Sequence, residues 1–458
     1  MIVLTYCLAS VGEPILGRLS RTLAEWNASF LVGLSLTATL FVPLSWLLQT
    51  AALNVTLGIL VAAGLVGGLR RVIAFRKGSP RFHIVEGFAA KIFLAILIVV
   101  VVQFAAENYR LTYLWDGYQI WATKALVIFD RGELTQALLT PHDPDLVSFP
   151  NCCDGAERVA AYPPAIPLFE ALVAKSEGAF VWEAVKAIFP VFFISLLIST
   201  FQAARAFVPT AVALAACVLL ALVPAVALDQ NVGGYADMPQ AALLAGFLAA
   251  VLAKDGSRLP SYRQAAPWLL GGVLLVKSEG AILFAILCAA IAVLWASEGI
   301  GKFVTALRRN AGAIVVALTC AGLRGIYLLW IDTKDLTYGP LDKPHFVQAY
   351  ARLWTVPVAC AHFMLNRADW GVFWPVFFVS AGIVIWKGDR RARLLCAGTL
   401  AALAAYTSIF YFTNWEVHLH IEQAYTRLLA QLSPAAAVLT VVAYQCLAGR
   451  RQPEGRAT

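Results

Sequence analysis

The sequence predicts an all-α polytopic membrane protein with about 12–13 transmembrane helices, each needing roughly 20 apolar residues to cross a bilayer, and three observations carry that prediction. The first is composition: of 458 residues, 60% are hydrophobic and only 14% charged, with a mean hydropathy of +0.75. A soluble chain has about a quarter of its residues charged, and a water-solvated fold has too little interior to hide this much apolar side chain. The second is the run length. Segments such as 88–104 are continuously apolar, whereas the strands of a membrane barrel alternate apolar and polar over about 10 residues. The third is where the basic residues fall, which also excludes nucleic acid as the meaning of the net charge of +8.

Taken in order, candidate spans lie near 1–16, 28–48, 52–69, 88–106, 183–204, 208–228, 236–253, 266–277 with 279–295, 311–331, 370–386, 393–413 and 428–447. No small-residue cleavage site follows the first stretch, which is therefore expected to run directly into the membrane domain. Alternate loops collect 21 of the 35 Lys and Arg residues: Arg18 and Arg21; Arg70, Arg71, Arg76, Lys77 and Arg81; Arg205; Lys254, Arg258 and Arg263; Lys302, Arg308 and Arg309; Lys387, Arg390, Arg391 and Arg393; Arg450, Arg451 and Arg456. The positive-inside rule makes that side cytoplasmic. The parity requires 266–295 to be two helices broken at Lys277-Ser278-Glu279-Gly280, with a first member of about 12 residues, short for a span.

The chain reads as a single domain over 1–458. Its largest excursion is an extracytoplasmic loop at 107–182 with ten acidic and five basic residues, long enough that structure and function of its own are expected. The stretch 163–175 is apolar but too short to cross, so it is expected to lie in the interface or re-enter. Most of the nine cysteines sit singly in apolar segments, as small hydrophobes. Cys152 and Cys153, near His142, Asp143, Asp145 and Asp154, match no zinc spacing; they are either a vicinal disulfide or incidental loop residues.

Several polar residues are candidates for chemistry. Asp116 lies among Trp115, Tyr118 and Trp121, rings that favour the membrane–water interface. A partly desolvated carboxylate there suits a general base; the plainer reading is a cap for a helix over 119–129. Lys124 and Asp130 follow on that helix, as a shared face with Asp116 or as a solvated one, the latter favoured for Asp130. Asp237, in Gly234-Tyr235-Ala236-Asp237-Met238-Pro239, is either a helix-start residue with Pro in the first turn or part of a phosphate-binding turn. Lys277 and Glu279 flank the break at membrane depth, where ionisable groups face partners or cavities. His420 and Arg427, two turns apart on one face, lead into the last span; an Arg there suits a lipid phosphate or snorkels to the interface.

An acidic residue in the first large outer loop, a Tyr162-Pro163-Pro164-x-x-Pro167-Leu168 segment, the Gly234–Pro239 turn and the Lys277-x-Glu279-Gly280 break recur in this order. Together they resemble the GT-C superfamily of polytopic membrane glycosyltransferases, nearest to the bacterial relatives of the protein mannosyltransferase and aminoarabinose transferase type. His420…Arg427-Leu428-Leu429 is similar to the His…Asp-Arg-Leu-Leu segment of uncharacterised bacterial members, with Thr426 where those carry Asp. The resemblance spans about 90–440 and implies a GT-C-like fold in a bacterial inner membrane. It further implies sugar transfer from a polyprenyl-phosphate-linked donor to an extracytoplasmic glycan, lipid or protein acceptor. By motif match Asp116 takes the base role; Lys277, Arg427 and His420 are expected on the donor phosphate, and Lys124, Tyr162, Asp237 and Glu279 around the substrates. One acidic residue at the first-loop motif, rather than a close pair, favours a metal-independent branch with no cofactor. A transporter or flippase of lipid-linked sugars is the alternative; it predicts paired repeats with a broken helix in each half, and the sequence shows one break and no repeat. A non-catalytic scaffold leaves the long outer loop without a purpose.

Overall fold

The computed structural model describes residues 1–14, 22–76, 87–114, 116–134, 162–228, 232–253, 260–297, 299–331 and 343–449, and among them all regular structure is helical, with no strand. Six described segments are long and apolar enough to cross a membrane: Leu23–Ile73, Phe88–Arg110, Trp182–Arg205, Ala311–Trp330, Arg390–Phe412 and Val417–Leu447. Shorter apolar helices pack among them. The protein is an all-α, multi-pass membrane protein.

The N-terminal helices are α1 (Ile2–Gly12), α2 (Leu23–Leu48), α3 (Ala52–Arg76) and α4 (Phe88–Arg110). A capping box starts α2: the Thr22 hydroxyl accepts from the Glu25 N–H at 3.2 Å, and the Glu25 carboxylate accepts from the Thr22 N–H at 3.1 Å. Gln49, at φ +48°, ends α2 and lets α3 fold back. α1 crosses α2 through glycines. A Cβ at Gly12 would stand 2.0 Å from the Ser29 carbonyl oxygen, and one at Gly33 1.8 Å from that of Leu8. Such small-residue crossings are how helices gain contact in lipid, where the solvent is as apolar as they are. α4 leaves Ile92, Leu94, Ile98, Val99 and Val102 exposed, a face that only a bilayer solvates well.

The next helices are α5 (Thr123–Arg131), α6 (Ala165–Glu177), α7 (Ile188–Arg205), α8 (Thr210–Ala221) and α9 (Asp237–Leu252). They are followed by α10 (Pro260–Val276), α11 (Gly280–Ala296), α12 (Ile300–Arg309) and α13 (Ala311–Ile331). The chain continues through α14 (Lys343–Ala351), α15 (Thr355–Met364), α16 (Phe373–Lys387), α17 (Arg390–Ser408) and α18 (Val417–Leu447). α9 is the axis of the bundle. It is apolar all round, as a helix enclosed by protein should be, and is buried along nearly its whole length. It packs against α7, α10 and α18, so its first residue heads a helix enclosed by three others.

Three expectations change in detail. The break at 277–279 is present, but the first member begins at Pro260 and has 17 residues, because a polar first turn precedes the apolar run. The stretch 163–175, expected to lie in the interface or re-enter, is a helix enclosed by protein: α6 buries Ala165 through Ala174 and packs on α5, α2 and α10. The last helix begins eleven residues before the expected span, at Val417, capped by the Glu416 carboxylate, which accepts from the Leu419 N–H at 2.6 Å. Of the cysteines, Cys7, Cys217, Cys320, Cys360 and Cys396 are buried and free, whereas Cys152, Cys153, His142, Asp143, Asp145 and Asp154 lie outside the described residues.

The glycine crossing gives a direct test. Gly33→Leu places a branched side chain against the α1 backbone and should lower the thermal midpoint of the detergent-solubilised protein, an overpacking cost of about 1–3 kcal/mol. Leu substitution at Gly58, where a Cβ meets nothing within 4 Å, should leave it unchanged.

Candidate functional site

The chain between α4 and α5 is stitched to the turn that precedes α9. The Asn108 side-chain amide donates to the Val232 carbonyl at 3.3 Å, the Leu114 N–H to the Gly233 carbonyl at 3.0 Å and the Asp116 N–H to the Tyr235 hydroxyl at 3.4 Å. The two glycines make that approach possible. Gly234 takes φ +87° and lies so close to Tyr113 that a Cβ would stand 2.5 Å from the ring; a Cβ at Gly233 would stand 2.6 Å from Leu114. Below this seam the Tyr113 hydroxyl donates to the fully buried Glu170 carboxyl at 2.7 Å. Burial pushes Glu170 up to about 8, against the opposing pull of Tyr113 and of Lys186. The Lys186 ammonium donates to the Leu111 carbonyl at 2.6 Å. Together these contacts fix where Asp116 stands, at the head of a π-helical turn over Gly117–Ala122 that runs into α5.

Asp116 is one end of a chain of alternating charges. Its carboxylate accepts from Arg427 Nη1, and Arg427 Nε donates to Asp237 at 3.2 Å. The other Asp237 oxygen accepts from Lys277 Nζ at 2.7 Å, and Lys277 lies 3.3 Å from Glu279. Gln431 donates to Asp237 at 2.7 Å and accepts from the Tyr406 hydroxyl at 2.6 Å. The Arg427 guanidinium also lies over the Tyr235 ring at 4.5 Å, a cation–π contact. Each participant is placed by its element. Asp237 is the first residue of α9, where the helix dipole favours a carboxylate. Arg427 and Gln431, four residues apart on α18, share one face. Lys277 sits in the α10–α11 break itself. The side chains of Lys277 and Asp237 are 2% and 1% exposed, against 28% for Asp116, so the chain runs from an enclosed core to an accessible acid.

A second cluster adjoins the first. Lys124 Nζ donates to the Tyr162 carbonyl at 2.8 Å, which also accepts from the Tyr327 hydroxyl at 3.3 Å. Arg324 reaches Ser278, in the break, at 3.4 Å. Burial and the neighbouring Arg324 lower Lys124 to about 7. Tyr162 stands beside both clusters: its carbonyl holds Lys124, and its ring meets Trp121 edge-on at 5.5 Å.

Seven of the eight residues expected at the site therefore converge: Asp116, Lys124, Tyr162, Asp237, Lys277, Glu279 and Arg427. His420 does not join the ion-pair chain. About 10 Å back along α18 at 1.5 Å per residue, its Nδ1 lies 2.6 Å from the Thr413 hydroxyl, with Phe410 and Trp415 beside the ring. Lys124 is buried, which corrects the solvated-face alternative, while Asp130 is exposed as that reading expects. Asp116 and Asp237 cap nothing with their side chains; ion pairing claims both. Lys277 and Arg427 are bound to carboxylates. Sequence reasoning missed Arg324, Gln431, Tyr406, Tyr235 and Gln240. The available signal for Arg324 was one cation inside an otherwise apolar span; Gln240, fully buried a turn beyond Asp237, makes no side-chain hydrogen bond among the described residues.

Asp237→Ala strands a buried Lys277, so it should lower stability by about 3–5 kcal/mol, the typical effect of breaking a buried ion pair from one side. Lys277→Met alone should also destabilise, and the double variant should recover most of the loss; additive losses in thermal unfolding would disprove the coupling. For Glu170 the sign follows from its raised folded value: the folded chain holds a proton that the unfolded chain releases above about 4.5, so this carboxyl favours folding less as pH rises through that window to about 8. Glu170→Gln should remove that component from the pH profile of the thermal midpoint.

The geometry stands without a relative to lean on: no protein-family model matches the chain, and no curated protein matches it.

Proposed function

We propose that the chain is a GT-C-type membrane glycosyltransferase with a 12–13-span topology, about 20 residues per span, which moves a sugar from a polyprenyl-phosphate-linked donor to an extracytoplasmic acceptor. The observation that carries this reading is the ion-pair chain Asp116–Arg427–Asp237–Lys277–Glu279, drawn from segments far apart in sequence and gathered at one level of the bundle. On α18, Arg427 stands 20 residues before Leu447, or about 30 Å along a helix. That is the thickness of the hydrocarbon core. A lipid-borne substrate presents its phosphate at this depth.

The chemistry follows from the charges. The acceptor hydroxyl attacks the anomeric carbon, its proton passes to the Asp116 carboxylate, and the bond from that carbon to the donor phosphate oxygen breaks. Polyprenyl phosphate leaves with the electron pair and one additional negative charge. Lys277, Arg427 and Arg324 face three carboxylates around the described site, and Lys124, lowered to about 7, adds a fourth cation when a bound anion draws a proton onto it, a balance that suits an anionic substrate. Fixed cations stabilise the departing phosphate more than the bound donor, which is what lowers a barrier. Arg427 has a gating part in this reading. A phosphate that competes for its Nη groups releases Asp116, so the base is freed when the donor is in place, while Asp237 keeps the guanidinium oriented.

Purified protein in liposomes, given labelled polyprenyl-phospho-sugar and acceptor, should release polyprenyl phosphate. Asp116→Asn should remain monodisperse and lose about 10²–10⁴-fold in turnover, the usual contribution of a general base. Near-wild-type transfer by that variant would remove Asp116 from the role, and movement of intact donor across the bilayer without cleavage would favour a flippase. Reporter fusions at positions 79, 150 and 389 should place 79 and 389 on one side of the membrane and 150 on the other.

A further inference from the structure

At the opposite end of α11 from the break, 17 residues or about 25 Å away along the helix, a cleft of about 600 Å³ opens between α11 and α17. Its walls are one face of each helix. Val293 of α11 and Ser297 at its C-cap line one side; Arg390, Arg393, Leu394 and Ala397 line it from α17, at the i, i+3, i+4, i+7 spacing of a single helical stripe. The lining is graded along the helix axis. The terminal turn carries two arginines and a serine, and the next turn inward is Leu394 and Ala397 opposite Val293. Val293, Arg390, Arg393 and Ala397 are exposed, so the cleft opens sideways to whatever surrounds the bundle.

We infer that this cleft binds an anionic phospholipid, its phosphate between Arg390 and Arg393 and the first part of its acyl chains along Leu394, Ala397 and Val293. Arg390 already touches the Ser297 hydroxyl across the cleft, which brings its guanidinium to the mouth between the two helices, and Arg393 reaches the Trp386 carbonyl at 3.4 Å. A guanidinium offers paired donors that match phosphate oxygens. Asp389 also lines the cleft, but its carboxylate is engaged as the α17 cap, accepting from the Ala392 N–H at 2.8 Å. The surroundings have the same character. Lys302, Arg308 and Arg309 of α12 are at least partly exposed at this end, as are Trp386 and Lys387, whose ammonium lies over that indole at 4.4 Å. Basic pockets between membrane helices, with indole at the interface, are where anionic headgroups lodge. A free anion would use the arginines alone; the apolar inner half of the cleft argues for the lipid. The inference does not depend on the glycosyltransferase reading.

Native mass spectrometry of the full chain in detergent, titrated in parallel with phosphatidylglycerol, phosphatidylcholine and inorganic phosphate, tests it. The wild type should retain one phosphatidylglycerol at concentrations where phosphatidylcholine is lost, and millimolar inorganic phosphate should not displace it. Arg390→Gln/Arg393→Gln should weaken retention about tenfold or more, the scale of one lost charge-assisted hydrogen bond. Leu394→Trp, which fills the apolar half, should weaken it too, whereas Lys302→Gln/Arg308→Gln/Arg309→Gln should not. Should the double arginine variant fail to fold, Arg393→Gln and Leu394→Trp singly decide the question. Equal retention of the two lipids, unchanged retention in the cleft variants, or displacement by inorganic phosphate would each overturn the proposal.

Discussion

The bundle is organised around one buried carboxylate. Asp237 stands at the head of the most enclosed helix and is 1% exposed, a placement that costs an isolated ion many kcal/mol and is tolerable only when the charge is paired and hydrogen-bonded. Two cations and one amide satisfy it. Each partner constrains an element. Lys277 can reach it because the helix stops at Val276 and restarts at Gly280. Arg427 and Gln431 reach it because α18 presents two polar residues on one face where the rest of that region is apolar. The contrast with Arg110 and Glu107 is instructive: that pair is only 2.8 Å apart, but the arginine is 74% exposed, and such pairs contribute about 0–1 kcal/mol. Distance alone does not rank these interactions; desolvation does.

The second constraint is how closely two backbones approach. The loop after α4 lies against the Gly233-Gly234 turn at a separation that no side chain permits, and Gly280 approaches α10 so tightly that a Cβ would stand 1.9 Å from the Val273 carbonyl oxygen. These contacts bring Asp116 to Arg427 and hold the break open. Polar chemistry and small-residue packing thus act together: the glycines set the geometry, and the ion pairs supply the energy that makes the geometry specific.

A division of labour between the two ends of the bundle follows. At one end charges of both signs are paired and mostly buried, ending in an accessible acid. At the other, cations predominate, stand exposed and flank an apolar cleft. The first arrangement is the one the proposed sugar transfer would use; the second is the one the inferred lipid site would use.

Much of this was legible in the sequence. The helical membrane class follows from apolar run length, and the break at 277–279 from a Lys and a Glu interrupting an apolar stretch, because intramembrane charge is costly enough to be informative wherever it occurs. That logic singled out Lys277 and Glu279, while Asp116 stood out by its interfacial aromatic neighbours and Asp237 and Arg427 by their places at helix starts. Pairing was not legible. Sequence periodicity reports which face of a helix a residue occupies, not which distant helix that face meets, so Asp237 read equally well as a cap or a phosphate ligand. Its side chain caps nothing, because α9 is enclosed and its first carboxylate has two cations within reach. For the same reason the packing of α6 on α2, α5 and α10 was not legible, and His420, on the same helix as Arg427, stands against Thr413 and out of the ion-pair chain. The sequence by itself determined the solvent of this protein and the residues too costly to be incidental; the tertiary structure decided their partners, because a buried charge is defined by what packs around it.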